Sequence, residues 1–157
     1  MTDIFQPYIQ LIEKNFGVLY ADHAKDIEVI VDHCRAIAWL IMDGALPSNK
    51  DQGYYLRRLI RRVATKLQLL AIPSEAILDL LDVVIQKLGH TYAEMNEKRE
   101  HIHEVVQKEV KAFSQNLKKG LQYFEKVVHK EKNISAEDAF MLQTSYGFPI
   151  ELITELA

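Results

Sequence analysis

The chain has 157 residues, 48% of them hydrophobic and 26% charged, with a formal net charge of −3. That length suits one domain with a real core, and no apolar run approaches the ~18 residues of a membrane span. A single cysteine, Cys34, excludes a disulfide framework and points to the cytosol, and the polar N-terminus carries no signal-peptide core.

Only 6 glycines and 4 prolines leave few tight turns, which favours long helices. The reading is an all-α helical bundle with one long charged helix and no sheet, residues 1–157 forming a single domain. Asp3 to Asn15 reads as a first helix capped by Thr2 or Asp3, with Phe5, Tyr8, Ile9 and Ile12 along one side. Asn15-Phe16-Gly17 ends it. So abrupt an opening is expected of a piece of a longer polypeptide or of a split gene. Asp22 to Met42 forms the next helix, its core face made of Ile27, Ile30, Val31, Cys34, Ile37, Ala38 and Ile41. Ala36 to Ile41 is apolar all round, so this helix is expected to be central. Asp43-Gly44 stops it and Pro47-Ser48-Asn49 turns the chain.

The basic helix that follows carries Arg57, Arg58, Arg61, Arg62 and Lys66, with no acidic residue from Gln52 to Ser74. At about 100° per residue, Leu56, Leu59, Ile60, Val63, Leu67 and Leu70 share one stripe, and the cations take the remaining face. Five positive charges here leave about −8 for the rest of the chain. Arg57/Arg61 and Arg58/Arg62 are like-charged i,i+4 pairs, each costing an isolated helix roughly 0.2–0.5 kcal/mol. Either a polyanion offsets that cost, since guanidinium groups fork onto phosphates, or acidic helices of the same chain do.

Beyond it, Ser74 is read as the N-cap of a helix whose core face is Ile77, Leu78, Leu81, Val84, Ile85 and Leu88, ended by Gly89. Tyr92 to His129 reads as one long helix, broken near Gly120. Met95, Ile102, Val105, Val106, Val110, Phe113, Leu117, Leu121 and Phe124 form its apolar face, and Glu94/Lys98 and Glu104/Lys108 give i,i+4 support. Ser135 caps a further helix, with Glu137 and Asp138 complementing its dipole and Ala139, Phe140 and Leu142 facing inward. Tyr146-Gly147-Phe148-Pro149 is a break, and Pro149 begins a last short helix to Ala157.

Catalytic and metal signals are weak. His101 and His103 are spaced i,i+2, on different helix faces, unlike the i,i+4 spacing of zinc helices. Cys34 lies on an apolar stripe and reads as core. Asp79 and Asp82 share a face but lack a recognisable partner. No glycine-rich phosphate loop is present, and nothing assembles a nucleophile, a base and an oxyanion site. On the residues alone the chain is not expected to be an enzyme by itself. It reads as a helical module whose basic face meets RNA, an acidic protein or a membrane.

Three blocks carry a more specific signal: Asp32-His33-Cys34-Arg35-Ala36, Asp43-Gly44-Ala45-Leu46-Pro47-Ser48-Asn49, and Gly53-Tyr54-Tyr55-Leu56-Arg57-Arg58-Leu59-Ile60-Arg61-Arg62. Together they closely resemble the middle region of alanyl-tRNA synthetases. Ala139 to Leu142 running into Ser145-Tyr146-Gly147-Phe148-Pro149 matches the same family, as does, more weakly, Thr2 to Pro7. The matches occur in family order and span nearly the whole chain.

The resemblance implies an all-helical tRNA-recognition domain of a class II ligase, with the catalytic core before it and an editing domain after it in the parent. The implied partners are the acceptor stem of alanine tRNA and the parent's catalytic core, with no membrane, no DNA and a monomeric state. It implies ATP and Mg for the parent and no cofactor here. The family identifies its tRNA by a wobble G·U pair in the acceptor stem. The Asn of the PSN turn, a base-pair reader in the family, corresponds to Asn49, whose amide offers donor and acceptor together. The second family reader is an Asp before the YGFP break. Thr144 stands at that position, giving a hydroxyl acceptor for a carboxylate, with Gln143 a nearby substitute. Gln52 stands where the family usually has Arg, removing one possible phosphate contact. Arg57, Arg58, Arg61, Arg62 and Lys66 are expected to contact the tRNA backbone or to hold the domain together.

Overall fold

A computed structural model describes residues 4–131 and 133–156. Every regular element among them is helical: α1 (Gln6–Phe16), α2 (Tyr20–Met42), α3 (Asp51–Leu69), a 3₁₀ turn (Ser74–Ala76), α4 (Ile77–Gly89), α5 (Ala93–Glu97), α6 (Arg99–Glu131), α7 (Ala136–Ser145) and α8 (Ile150–Leu156). The expected all-α class and the long charged helix are present.

The apolar stripes do what their spacing requires. Ile27, Ile30, Val31, Cys34, Ile37, Ala38 and Ile41 of α2 are fully buried and meet α1, α3, α4, α5 and α6, which makes α2 the centre of the larger core. Leu56, Ile60, Val63 and Leu67 bury the apolar face of α3 against it. Burial pushes the Cys34 thiol far above its ordinary range, so it is packed and inert, as read. A second, smaller core joins Ala64 of α3, Phe113 and Leu117 of α6, Leu142 of α7, and Phe148, Leu152 and Ile153 at α8.

The structure departs from local expectation where long-range contacts intervene. α1 starts at Gln6 with Pro7 in its first turn, and the proposed caps Thr2 and Asp3 lie outside the described residues, as does Ala157. α2 starts at Tyr20 rather than Asp22, because the Tyr20 N–H donates to Glu13 Oε1 of α1 at 2.9 Å; the backbone kinks at His23. Ser74 does not cap α4: its hydroxyl lies 3.2 Å from Ala64 O and from Gln68 Oε1, and a 3₁₀ turn precedes the helix. The long helix breaks at Lys98, not at Gly120. Asn96 Nδ2 donates to Gly89 O at 3.0 Å, and Lys98 Nζ donates to Met42 O at 2.8 Å, capping the end of α2. The Glu94/Lys98 pair forms at 2.7 Å. At Gly120 the helix runs on, and the missing side chain makes room for the Phe148 ring. Asp82 does have partners: Arg99 Nε and Nη2 at 2.8 and 2.9 Å, and His103 Nε2 at 2.8 Å. Phe140, expected to face inward, is 65% exposed, while Leu142 is buried. Ser135 caps α7 in a capping box with Asp138.

Candidate nucleic-acid interface

Two backbone turns build the site. At the first, Ser48 N–H donates to Gly53 O at 3.0 Å, and Gly53 lies so close to Ser48 and Leu46 O that a side chain there would collide. The turn is thereby tied to the first turn of α3, and Asn49 is held at the mouth of the basic helix. At the second, Gly147 adopts φ 71°, in the left-handed region that favours glycine, and Arg61 packs where its Cβ would be. The chain reverses there and Phe148 drops into the smaller core, leaving the end of α7 facing α3.

Between these turns lies one open cleft of about 240 Å³. Its walls include Asn49, Arg57, Arg58 and Arg61 on one side, and Gln143, Thr144 and Gly147 on the other. Asn49, Gln143 and Thr144, remote in sequence, share this cleft with three of the five basic residues. Tyr54, which the motif reading did not single out, lines it too. The Arg58 guanidinium lies 5.4 Å from the Tyr54 ring centroid and 5.5 Å from that of Tyr55.

Hydrogen bonds set the chemical character of Asn49 and Thr144. Arg57 Nη1 donates to Asn49 Oδ1. A guanidinium has no acceptor, so the contact fixes which end of the amide is oxygen and leaves Nδ2 as the outward donor. Thr144 Oγ1 donates to Phe140 O at 2.7 Å. Its only proton is thereby committed to the helix, and the oxygen offers lone pairs to the cleft. Thr144 therefore acts as an acceptor, in the same sense as a carboxylate but without the charge.

The cations divide by what they touch. Glu109 of α6, 7% exposed, lies between Arg57 Nε at 3.2 Å and Arg61 Nε at 2.9 Å. Arg61 Nη1 also donates to Gly147 O at 3.0 Å, and its guanidinium carbon lies 4.9 Å from the Phe113 ring centroid. Lys66 is 4% exposed and paired with Asp26 at 2.7 Å and Glu155 at 2.6 Å. Arg62 reaches Glu155 at 3.1 Å. Burial works to raise the Glu155 carboxyl, but Lys66 and Arg62 outweigh it and hold the pKa below the ordinary carboxylate range. His33 is held below its usual pKa by burial and by Arg62, whose Nη1 lies 3.4 Å from His33 Nε2. Arg62 and Lys66 thus clasp α8 to α3, while Arg57, Arg58 and Arg61 border the cleft. Buried, doubly paired Lys66 was not legible from the sequence, because its partners are 40 and 89 positions away.

Among the described residues no group of three His, Cys, Asp or Glu side chains could hold a metal ion. Nor is any described helix long and apolar enough to cross a membrane.

The chain is 42% identical over 159 residues to the alanine–tRNA ligase of Fervidobacterium nodosum, and equally so to that of Thermotoga maritima. It is 39% identical over 164 residues to the alanine–tRNA ligase of Bacillus subtilis. In each case 99% of the chain is covered, while it spans less than a fifth of the relative's length (18–19%). The family model described as tRNA synthetases class II (A) matches residues 1–157, and the chain belongs to that family.

Proposed function

We propose that this chain is the tRNA-recognition domain of a cytoplasmic alanine–tRNA ligase, reading the wobble G·U pair of the acceptor stem so that the parent can attach alanine with ATP and Mg. The observation that carries the reading is the cleft that gathers Asn49, Thr144 and Gln143 beside Arg57, Arg58 and Arg61. In RNA the minor groove is wide and shallow, so base edges are within reach of side chains there. A wobble pair leaves the guanine amino group, a donor, without its usual partner in that groove. Thr144 Oγ1 supplies an acceptor for it, and Asn49 Nδ2 supplies a donor for neighbouring base or ribose oxygens. Arg57 and Arg58 contribute charge toward phosphates. Phosphate contacts supply affinity and base-edge contacts supply the choice of sequence. We assign the ATP and Mg chemistry to the parent's catalytic core; among the described residues no group of three His, Cys, Asp or Glu side chains could hold a metal ion.

Titration with two acceptor-stem hairpins, one with G·U and one with G·C in its place, tests the reading. The G·U hairpin should bind roughly fivefold or more tighter, the scale of one well-made set of base contacts, and Asn49→Ala should remove that preference. Equal binding to both, falling steeply with salt, would sink sequence reading and leave an electrostatic cradle.

A further inference from the structure

Asn49 and Thr144 belong to two separate pieces of chain, and whatever fixes their separation fixes what the cleft can read. One carboxylate stands between them. Glu109 projects from α6, at 7% exposure, and its Oε1 faces the Nε atoms of both Arg57 and Arg61 at 3.2 and 2.9 Å. Each guanidinium then uses its outer nitrogen on one wall of the cleft: Arg57 Nη1 on Asn49 Oδ1, Arg61 Nη1 on Gly147 O, three positions beyond Thr144. Arg61 Nε donates a hydrogen bond to Glu109, whereas Arg57 is held to it by charge alone, its Nε making no hydrogen bond. The guanidinium is planar and rigid, so fixing its Nε end constrains the direction of the far nitrogens. One turn along α6, Phe113 packs beneath Arg61 at 4.9 Å and against Phe148, with centroids 6.1 Å apart. α6 is thereby the common support of both walls.

We propose that Glu109 is a positioning residue for the recognition assigned above: through Arg57 and Arg61 it sets the separation and orientation of the Asn49 and Thr144 groups. The proposal rests on that functional reading for its RNA consequence, but not for its structural one. It also separates from a purely electrostatic role. Glu109 is an anion among cations that face a polyanion. If it merely tuned charge, Glu109→Gln would tighten binding to every hairpin and steepen the salt dependence. If it positions, Glu109→Gln will lose most of the roughly fivefold or greater G·U preference, while binding to the G·C hairpin stays level or improves. Glu109→Asp keeps the charge but draws the oxygen back by one methylene. It should lose part of the preference with an unchanged salt slope.

The deciding measurement needs no RNA. The side-chain amide of Asn49, assigned by its absence in Asn49→Ala, should give two dispersed and rigid proton resonances in the ¹⁵N spectrum of the wild-type chain. They should converge toward solvent-averaged values in Glu109→Gln, or in Glu109→Asp if the glutamine variant does not fold. An unaltered Asn49 signature in a folded variant overturns the proposal. Equal binding of both hairpins by the wild type would instead overturn the reading of the G·U pair, and the Asn49 spectrum would still decide the role of Glu109.

Discussion

Thr144→Val and Thr144→Asp separate shape from charge at the cleft. Valine keeps the side-chain volume and removes the acceptor, so the G·U hairpin should lose about 1–2 kcal/mol of binding while the G·C hairpin is unchanged. Aspartate restores a charged acceptor, and hydrogen bonds to ionised groups are roughly twice as strong as neutral ones. Its G·U preference should exceed that of the wild type, as hairpin titration would show. The bond from Thr144 to Phe140 O commits the hydroxyl proton and leaves the oxygen as an acceptor, which is what the proposed reading asks of it. That bond runs i to i−4 within α7, yet the motif alone could not say which way the hydroxyl proton points. The pairing of Asn49 with Thr144 was likewise legible through family resemblance rather than through spacing, since nothing in the intervening sequence predicts that the two turns face each other. Arg57 and Arg61 were visible as a basic pair, but their common carboxylate, Glu109, was not singled out in the dense mixed charge of α6.

The helices themselves were legible wherever one face is apolar and buried, because the 3.6-residue period writes that face into the sequence directly. Their ends were not, because Glu13 and Asn96 bond the backbone of the adjacent helix, seven residues away, and Lys98 bonds Met42 O, 56 residues away. Gly120 shows the competition of magnitudes. Replacing a mid-helix glycine by alanine gains α6 about 1 kcal/mol of helix propensity, but overpacking a core costs ~1–3 kcal/mol, and here the added carbon meets the Phe148 ring. Gly120→Ala should therefore lower the melting temperature despite the better helix former. α8 answers to acid. The Glu155 pKa is depressed in the folded chain, so its stabilisation is complete above the unfolded carboxylate value of about 4.3. It is lost as pH falls through the lower folded value. The His33 pKa is also depressed in the folded chain, by burial and by Arg62. The residue weakens the fold once pH drops below the unfolded imidazole value of about 6.5. Thermal melts should show stability beginning to fall below about pH 6.5, with a second loss in the carboxylate range. Glu155→Gln should flatten that second loss and lower stability at neutral pH, where it leaves Lys66 with Asp26 alone of its two carboxylates.

At the scale of the molecule, the cleft lies where a large core meets a small one. Asn49 hangs from α3, which is anchored in the core around α2. Thr144 hangs from α7, whose buried contact is Leu142 in the cluster with Phe113, Leu117, Phe148, Leu152 and Ile153. Stability within a fold is uneven, and units with less buried apolar surface open first. The α7–α8 hairpin is such a unit, tied to α3 by a clasp of charges and to α6 by a few rings. One jaw of the cleft is thus rooted in the larger core and the other in the smaller one, which on this principle should open first. A ligand gripping both jaws would bind only the closed form, so its binding energy would be felt as slowed amide exchange in α7 and α8, well beyond the atoms it touches.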